Sequence, residues 1–410
     1  IEDGVVVVDQ GRIVAVGRQV PDDAEVIDLN LLEGATPHGV AVLPGLINVH
    51  THLEFSDLAT PLGQPGMRFP DWIREVITYR LGKNPDSHPE DGTPHPILRG
   101  LQETIETGTL TLGEIAKPDA PWELLFTPTN ETCDADCRVT AFLEFLGLAN
   151  DRHESVVAEL QASSLRLQRT APAWEVGVSP HAPYSTHWRV IESLCQHASD
   201  QSLPLAMHLA ESPEELELMR SHSGEFHKLL TDLGVWNSEA IPQGATSLDY
   251  LKLLAIAPRS LIVPGNYLTT AEIEFIAGCD TQMSVAYCPR THTYFEHSAY
   301  PLLTLLDRGV NVSLGTDSHA SNPDLNLFRE MQHVLQKHPE VSPEVILQMG
   351  TIDGAIALGC EGDLGTLEPG KSADLAVFGL SAQATDAASL LAAKTRCLAT
   401  IRRGDLLNRE

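Results

Sequence analysis

The sequence lacks the features that would place this chain in a membrane or on nucleic acid. It has no run of about 18 apolar residues, which a transmembrane helix needs. Its first residues, Ile1–Gly4, include no basic segment of the kind that begins a signal peptide. Basic residues are few, since 27 Lys and Arg against 56 Asp and Glu give a formal net charge of −29. We therefore expect neither nucleic acid nor an anionic membrane as a partner.

Cysteine is also scarce, and its pattern excludes a disulfide-rich fold. The seven cysteines are odd in number and scattered along 410 residues. Cys133 and Cys137 lie close together but have no second cysteine pair nearby, so we interpret them as a coincidence in a loop. This usage indicates a reducing compartment, and we expect the protein to be cytoplasmic.

Short β-strand patterns occur at both ends of the chain and not in its centre. They lie at residues 4–17, 24–28, 374–378 and 397–407. We predict a composite β-sandwich domain made of residues 1–42 and 361–410. The chain opens inside what reads as a strand pair, which suggests that native N-terminal residues are missing.

The centre alternates short apolar strands with amphipathic helices, which is typical of βα units and a parallel sheet. Eight candidate strands lie near residues 45–52, 109–115, 138–145, 174–181, 204–209, 260–266, 282–288 and 310–316. They predict an α/β fold, a metal-bearing (β/α)8 barrel over residues 43–360, whose chemistry lies at the C-terminal ends of the strands. A Pro- and Gly-rich insert at residues 56–100 follows the first strand and is expected to act as a lid.

Three of these predicted strands end in metal-binding residue types. The first ends in His50-Thr51-His52, and residues i and i+2 of a strand point to the same face. His208 ends the fifth strand and Asp317 follows the eighth. Three imidazoles and a carboxylate suit one divalent zinc or iron ion with an open position for water. A single buried histidine is usually structural, but four such groups at strand ends are difficult to explain as coincidence.

Glu211 lies three residues after His208 and is a candidate catalytic acid. At the barrel mouth, a carboxylate can take a proton from a metal's water and pass it to a leaving nitrogen. The structural alternative is an acid at a helix start, because Ser212-Pro213 reads as a helix cap followed by a first-turn proline. The two roles are compatible.

Candidate substrate contacts lie at other strand ends and in the insert. His181 follows the fourth strand, Arg290 and His292 follow the seventh, and Phe69 and Trp72 lie in the insert. Each has a structural alternative. His181 could be tied to its own turn, Arg290 and His292 could form ion pairs, and the aromatic residues could pack the insert onto the barrel.

Together these motifs resemble the amidohydrolase superfamily, and more narrowly its cytosine deaminase-like, chlorohydrolase and methylthioadenosine/adenosylhomocysteine deaminase branch. The resemblance covers nearly the whole chain. It rests on residues 44–54, 179–185, 208–212, 288–290, 314–318 and 364–375. It implies a metal-bearing (β/α)8 barrel with a β-sandwich from both termini, which is the arrangement that the strand patterns predict.

The resemblance also implies a reaction, the hydrolytic deamination or sometimes dechlorination of a heteroaromatic ring. Glu211 would protonate the ring nitrogen, and Asp317 would bind the metal and accept a proton from the attacking water. Ammonia would then leave. Similar proteins act on purine nucleosides and on modified adenines such as methylthioadenosine, adenosylhomocysteine or aminodeoxyfutalosine. In them, His181 resembles a contact to the sugar or ring of the substrate.

One position departs from the family pattern. Similar proteins end the sixth strand in a histidine before Gly-Asn-Tyr, whereas this chain has Pro264 there. Proline offers no side-chain donor or acceptor, and losing one such group typically costs about 10²–10³-fold in rate. Three explanations are open. His319 could substitute for the missing histidine, the protein could be an impaired relative that still binds metal or ligand, or its reaction could do without the group.

Two rival functions remain beside deamination of a small-molecule heteroaromatic amine. One is a catalytically degenerate scaffold that binds metal or ligand, and the other is chlorohydrolase or cyclic amide hydrolase activity. Binuclear amide hydrolases of this superfamily often carry a bridging lysine at the end of the fourth strand. Here that strand ends in Ser179-Pro180-His181, which favours a single metal. Homo-oligomers are frequent among similar proteins, but this sequence contains no pattern that identifies an oligomer interface.

Overall fold

The computed structural model describes residues 3–82, 95–120, 137–381, 384, 386–392 and 395–407. The strands are β1 (Val5–Asp9), β2 (Arg12–Gly17), β3 (Val40–Pro44), β4 (Leu46–Thr51), β5 (Thr109–Ala116), β6 (Arg138–Phe145), β7 (Glu175–Pro180), β8 (Leu205–Leu209), β9 (Arg259–Pro264), β10 (Gln282–Tyr287), β11 (Asn311–Leu314), β12 (Leu375–Gly379), β13 (Arg396–Arg402) and β14 (Asp405–Leu406). The helices are α1 (Phe69–Gly82), α2 (Pro96–Glu106), α3 (Arg152–Thr170), α4 (Trp188–Gln201), α5 (Pro213–Ser221), α6 (Gly224–Asp232), α7 (Ser247–Leu254), α8 (Thr270–Ala277), α9 (Pro289–Tyr294), α10 (Leu302–Asp307), α11 (Leu327–Lys337), α12 (Pro343–Met349), α13 (Ile352–Leu358) and α14 (Ala387–Ala392).

The central sheet is a parallel barrel in which β4 to β11 follow one another in chain order. The last strand returns to the first, because Thr51 and Asp317 form a parallel bridge and the Asp317 N–H donates to the His50 carbonyl at 3.1 Å. The strand residues are almost all buried, as expected for a parallel sheet that is covered on both faces. The predicted eight strands and the (β/α)8 barrel are therefore confirmed.

Helix starts follow local sequence signals. Ser212 caps α5 by accepting a hydrogen bond from the Glu215 N–H, and a proline occupies the first turn. Thr269 and Glu272 form a reciprocal capping box at the start of α8. Such caps satisfy backbone N–H groups that have no partner inside the helix, and they set where each helix leaves the barrel mouth.

Segments from both ends of the chain form a small β-domain beside the barrel. The order of its four-stranded sheet is β14-β13-β12-β3, and β1 and β2 form a separate hairpin. A cluster that includes Ile13, Val377 and Ala399 lies between these two units. Gly45 links β3 directly to β4, and a side chain there would come within 2.9 Å of Leu110. A small sheet domain from both termini is therefore present, while its exact boundaries at residues 42 and 361 stay a prediction.

Helix α1, in the insert after the first barrel strand, packs onto the barrel mouth. The Trp72 Nε1–H donates to the Ala320 carbonyl at 3.2 Å, and the rings of Phe69 and Trp72 stack with centroids 5.6 Å apart. Residues 83–94 of the insert lie outside the described residues, as does Cys133 of the cysteine pair. The lid role stays a prediction. Among the described helices, none combines the length and apolar character needed to cross a membrane.

Three partly buried histidines on and near α9 are expected to make stability depend on pH. Burial lowers the pKa of His292, His297 and His333 to about 4 from an ordinary value of 6.5. The folded state therefore binds fewer protons than the unfolded chain between pH 6.5 and 4. The free energy of unfolding should fall as the pH is lowered through that range and should be retained above it.

We expect the urea midpoint of unfolding to fall between pH 7 and pH 5, and to fall less in His297→Asn. Asparagine can keep a polar atom facing Tyr267, whose hydroxyl lies 3.0 Å from His297 Nδ1, but it cannot take up a proton in this range. His38→Gln, at an exposed position, is the control. An equal fall in all three proteins would show that other groups cause the pH dependence.

Candidate metal centre and active site

Four side chains from three strand ends meet at the C-terminal mouth of the barrel. His50 and His52 from β4 and His208 from β8 are buried, and each offers a ligand atom within 4.8 Å of the others. Asp317, after β11, places Oδ1 3.9 Å from His50 Nε2 and 3.7 Å from His52 Nε2. The structure thus brings together all four side chains that the sequence proposes as metal ligands.

Asn48 fixes the relative position of these groups by joining the first and last strands of the barrel. Its Nδ2 donates to Thr316 Oγ1 at 2.7 Å, and its Oδ1 accepts from the N–H groups of Thr316 and His50 at 3.2 and 3.3 Å. Gly315 allows a close approach, since a side chain there would come within 2.9 Å of His50 Cβ. His50 is therefore held beside the segment that carries Asp317.

Burial sets the charge state of these side chains. It lowers the pKa of His50 and His52 well below the ordinary value and that of His208 to about 3. It raises the pKa of Asp317 to about 7, against the effect of a hydrogen bond from Ser321. The imidazoles are thus neutral, with lone pairs available, and a carboxylate in this place gains from a nearby cation.

The chemistry of this donor set fits one divalent metal. The ring nitrogens of His50 and His52 that face Asp317 are Nε2, at 3.9 and 3.7 Å from Oδ1, which is too far for a hydrogen bond. A cation held among these groups would give each of them a partner. Neutral nitrogen donors with one carboxylate suit zinc or iron(II) better than calcium or magnesium, which prefer oxygen ligands.

A second group of candidate ligands overlaps the first. Glu144, His181 and His208 also offer ligand atoms within 4.8 Å of one another. His208 belongs to both groups, and its Nδ1 lies 3.2 Å from the His181 carbonyl, so its Nε2 can serve one ion at a time. Asp317 lies beside the first group, which gives that group four donors and the better fit.

Glu211 faces the same cavity from a fixed turn after β8. Glu215 accepts from the N–H groups of Ala210 and Glu211, at 2.9 Å each. The side-chain amide of Asn266 donates to the Glu211 carbonyl at 2.9 Å. The hydroxyl of Tyr184 lowers the pKa of the Glu211 carboxyl by hydrogen bonding, against the larger effect of burial. The backbone of Glu211 is therefore held in place, while its side chain reaches into the cavity.

The environment of the Glu211 carboxyl favours its protonated form. Burial raises its pKa well above the ordinary value, and the nearby carboxylates of Glu215 and Asp317 act in the same direction. Its Oε2 is buried and has no hydrogen-bond partner among the described residues. The arrangement can hold a proton and present it to a bound molecule.

A cavity of about 310 Å³ opens in front of these groups. Several residues proposed from the sequence line it, namely His52, Phe69, Trp72, His181, His208, Glu211 and Asp317. Within it, His181 is oriented by Ser185, whose Oγ lies 2.5 Å from Nδ1 of the ring. A larger surface groove of about 510 Å³ between α3, α4 and α7 contains none of the strand-end residues.

Arg290 and His292, two proposed substrate contacts, are not brought to this cavity. Arg290 Nε lies 2.5 Å from a carboxylate oxygen of buried Glu330, and Nη2 lies 2.8 Å from Asp324. The ring of His292 packs edge-on against Tyr300 at 5.6 Å. Arg290 therefore forms ion pairs, which is the structural alternative that the sequence left open for it. His292 lies in an aromatic cluster instead.

His319 is not brought to the metal ligands either. Its Nε2 lies 2.8 Å from Glu103 and its Nδ1 lies 3.2 Å from the Leu58 carbonyl, so both ring nitrogens are engaged elsewhere. Pro264 is the last residue of β9, and its carbonyl accepts a hydrogen bond from Tyr300 at 2.8 Å. This geometry gives no support to His319 as a substitute for the histidine absent at position 264.

The sequence reasoning missed a charged network beside His181. Glu144, at the end of β6, places a carboxylate oxygen 3.7 Å from His181 Nε2, and burial raises its pKa. Glu54 pairs with Arg80 at 2.6 Å and with Lys117 at 2.5 Å. The sequence did contain a signal for Glu144. Burying a glutamate near the C-terminal end of a mostly apolar strand is energetically unfavourable unless the carboxylate has a partner or a function.

Comparison with known proteins places this chain in one family. Residues 41–406 match the amidohydrolase family. The methylthioadenosine/S-adenosylhomocysteine deaminase of Pyrococcus furiosus is 27% identical over 390 residues, covering 92% of this chain and 82% of that protein. The aminodeoxyfutalosine deaminase of Deinococcus radiodurans is 28% identical over 343 residues, covering 78% and 74%.

A solved structure shows the same architecture. The aminofutalosine deaminase of Helicobacter pylori in complex with methylthio-coformycin superposes with a TM-score of 0.78 at 26% identity, covering 99% of this chain and 95% of that one. The family match spans most of the chain, and the eight-stranded barrel agrees with it. The chain therefore belongs to the amidohydrolase family and is a hydrolase that acts on carbon–nitrogen bonds.

Proposed function

We propose that this protein removes an amino group from a purine-like or other heteroaromatic ring by hydrolysis. The observation that carries the proposal is the placement of Glu211. Its buried carboxyl, with an unpartnered oxygen, faces the same cavity as His52, His208 and Asp317. A proton donor beside a metal-type donor set is what a hydrolytic deaminase needs. Relatives named as deaminases of adenine nucleosides support the same reaction.

In this mechanism His50, His52, His208 and Asp317 would hold the metal, which when bound supplies a Lewis acid that makes water acidic. Glu211 holds a proton on its carboxyl and gives it to the ring nitrogen next to the leaving amine. The oxygen of water bonds to the ring carbon while one water proton passes to Asp317. Asp317 gives that proton to the amino nitrogen, the second water proton returns to Glu211, the carbon–nitrogen bond breaks, and ammonia leaves while the ring nitrogen keeps its proton.

The remaining residues of the site position the substrate. His181, fixed by Ser185, can hydrogen-bond the ring or an attached sugar, and Phe69 and Trp72 offer flat surfaces to the ring. We also propose that the protein works in the cytoplasm on a small molecule, as a homo-oligomer, without nucleic acid or membrane partners. The strongly acidic composition supports the last point.

The test is ammonia release by protein loaded with zinc or with iron(II), using adenosine and 5′-substituted adenosines as substrates. Saturable ammonia release supports the proposal. Release of chloride from a chlorinated ring without ammonia would favour a chlorohydrolase, and ring opening of a cyclic amide without ammonia would favour an amide hydrolase. Metal binding with no turnover in any assay would favour a degenerate scaffold.

Position 264 gives a further prediction. We expect Pro264→His to raise kcat on any amine substrate by about 10-fold or more, because it restores an imidazole at the end of the sixth barrel strand. Pro264→Ala, which removes the proline without adding a donor, is the control. An unchanged or lower kcat in Pro264→His, with metal content intact, would contradict this explanation of the missing group.

A further inference from the structure

The outer part of the cavity is lined by apolar side chains from two helices and the segment after one of them. Ile73, Val76 and Ile77 come from α1, and Leu229, Leu230 and Leu233 come from α6 and the residue that follows it. We call this region the outer chamber. Leu233 is 42% exposed, whereas His52 and His208 in the same cavity lining are buried. A molecule whose reacting ring meets the metal-type ligands would therefore extend its substituent toward the outer chamber.

Helix α1 turns a face toward the cavity that is apolar except for Arg80. Its cavity-lining residues recur three to four positions apart from Phe69 to Arg80, as one face of a helix requires. The charged residues near its start and middle pair with α6 instead. Arg68 lies 3.3 Å from Glu225, and Arg74 lies 2.7 Å from Asp232. These charges tie the two helices together rather than lining the chamber.

The polar groups that do line the cavity lie nearer the inner end and already have partners. Arg80 lines the cavity, but its guanidinium pairs with Glu54 at 2.6 Å and lies 5.2 Å from the centre of the Phe55 ring. Ser185 is engaged with His181. Among the described residues, the outer chamber therefore offers no charged group to a substituent.

We infer that the outer chamber selects substrates whose substituent is apolar and uncharged, and that it discriminates against a zwitterionic amino-acid substituent. The inference rests on the proposed function and adds the chemical class of the substituent. Moving an ammonium and a carboxylate group from water into an apolar chamber without partners is strongly unfavourable. An alkylthio group loses nothing by the same transfer and gains from burial.

The decisive substrates are S-adenosylhomocysteine and 5′-deoxy-5′-propylthioadenosine. The second is the first without its amino and carboxyl groups, so the pair differs only in what the outer chamber would receive. We expect kcat/KM for ammonia release to be on the order of 100-fold higher for the propylthio compound. Values for the two compounds within about 3-fold of each other, or a preference for S-adenosylhomocysteine, would overturn the inference while leaving the proposed deamination intact.

A binding measurement tests the selectivity of the outer chamber separately from the proposed deamination. Calorimetry would use the purine ribosides that carry the same two 5′-substituents and have no amino group on the ring, so that neither can be deaminated. Tight binding of the propylthio riboside alone supports the outer chamber even if no compound releases ammonia, which would count against the deaminase. Equal binding of both ribosides, or of neither, would overturn the inference.

A matched pair of variants tests whether the substituent is recognised in the outer chamber. Ile77 is half-buried and lines the chamber, whereas Thr78 is exposed on the same helix and does not. We expect Ile77→Glu to lower kcat/KM for the propylthio compound by about 10-fold or more, and Thr78→Glu to change it less than about 3-fold. Ile77→Gln, a milder change, serves if the charged variant does not fold. Equal effects of the changes at 77 and 78 would place the discrimination elsewhere.

Discussion

Replacing Glu211 with glutamine is expected to lower kcat by about 10²–10⁴-fold, which is the usual contribution of a positioned general acid or base. Glutamine keeps the size of the side chain and can still accept the hydrogen bond from Tyr184, but it has no carboxyl proton to give to a ring nitrogen. The measurement is the initial rate of ammonia release at saturating substrate, with metal content determined on the same sample.

Measuring the metal content distinguishes a variant that has lost proton transfer from one that has lost the metal. Glu211 does not belong to the proposed ligand set, so Glu211→Gln should retain as much metal as the natural protein. Glu214→Gln, three residues later and absent from the cavity lining, is the control and should keep full activity. A Glu211→Gln protein with full metal content and unchanged kcat would contradict the proposed proton transfer.

The barrel could be predicted from the sequence because each of its strands is covered on both faces. Such strands appear as continuous apolar runs with helices between them, and the run at residues 138–145 corresponds to β6 residue for residue. The ligand set could be predicted for a related reason. The C-terminal ends of the strands share one rim, so His50, His208 and Asp317 had to lie near one another once the barrel was assumed.

The interpretation of individual polar residues needed the structure, because their partners come from distant parts of the chain. Arg290 is also near the rim, but Glu330 lies 40 positions away on α11, and the sequence does not show that the two pair. His319 likewise meets Glu103 across 216 positions. Glu144 and Arg80 show the converse, since Arg80 lines the cavity and Glu144 lies 3.7 Å from His181, although neither belongs to a recognisable motif.

Freshly purified protein, or protein reconstituted with zinc or iron(II), is expected to hold about one divalent metal per chain, because the four proposed donors would make a single mononuclear site. Asp317→Ala and His208→Ala should each lose most of that metal and all measurable ammonia release. Removing either leaves three donors, and removing Asp317 also removes the negative charge that balances the cation. Metal per chain by elemental analysis is the measurement.

A thermal readout makes this prediction independent of catalysis. A metal that binds only the folded state raises the unfolding midpoint, so chelation should lower the midpoint of the natural protein and leave that of Asp317→Ala unchanged.

His319→Ala is the control, since both ring nitrogens of His319 are engaged by Leu58 and Glu103. It should keep its metal, and a large loss of kcat in this variant would instead support His319 as the substitute for the histidine absent at 264. If the natural protein binds no metal even after reconstitution, the four-donor site is wrong. The approach of His50, His52, His208 and Asp317 to one another would then need another explanation, and the degenerate scaffold would become the better account of this chain.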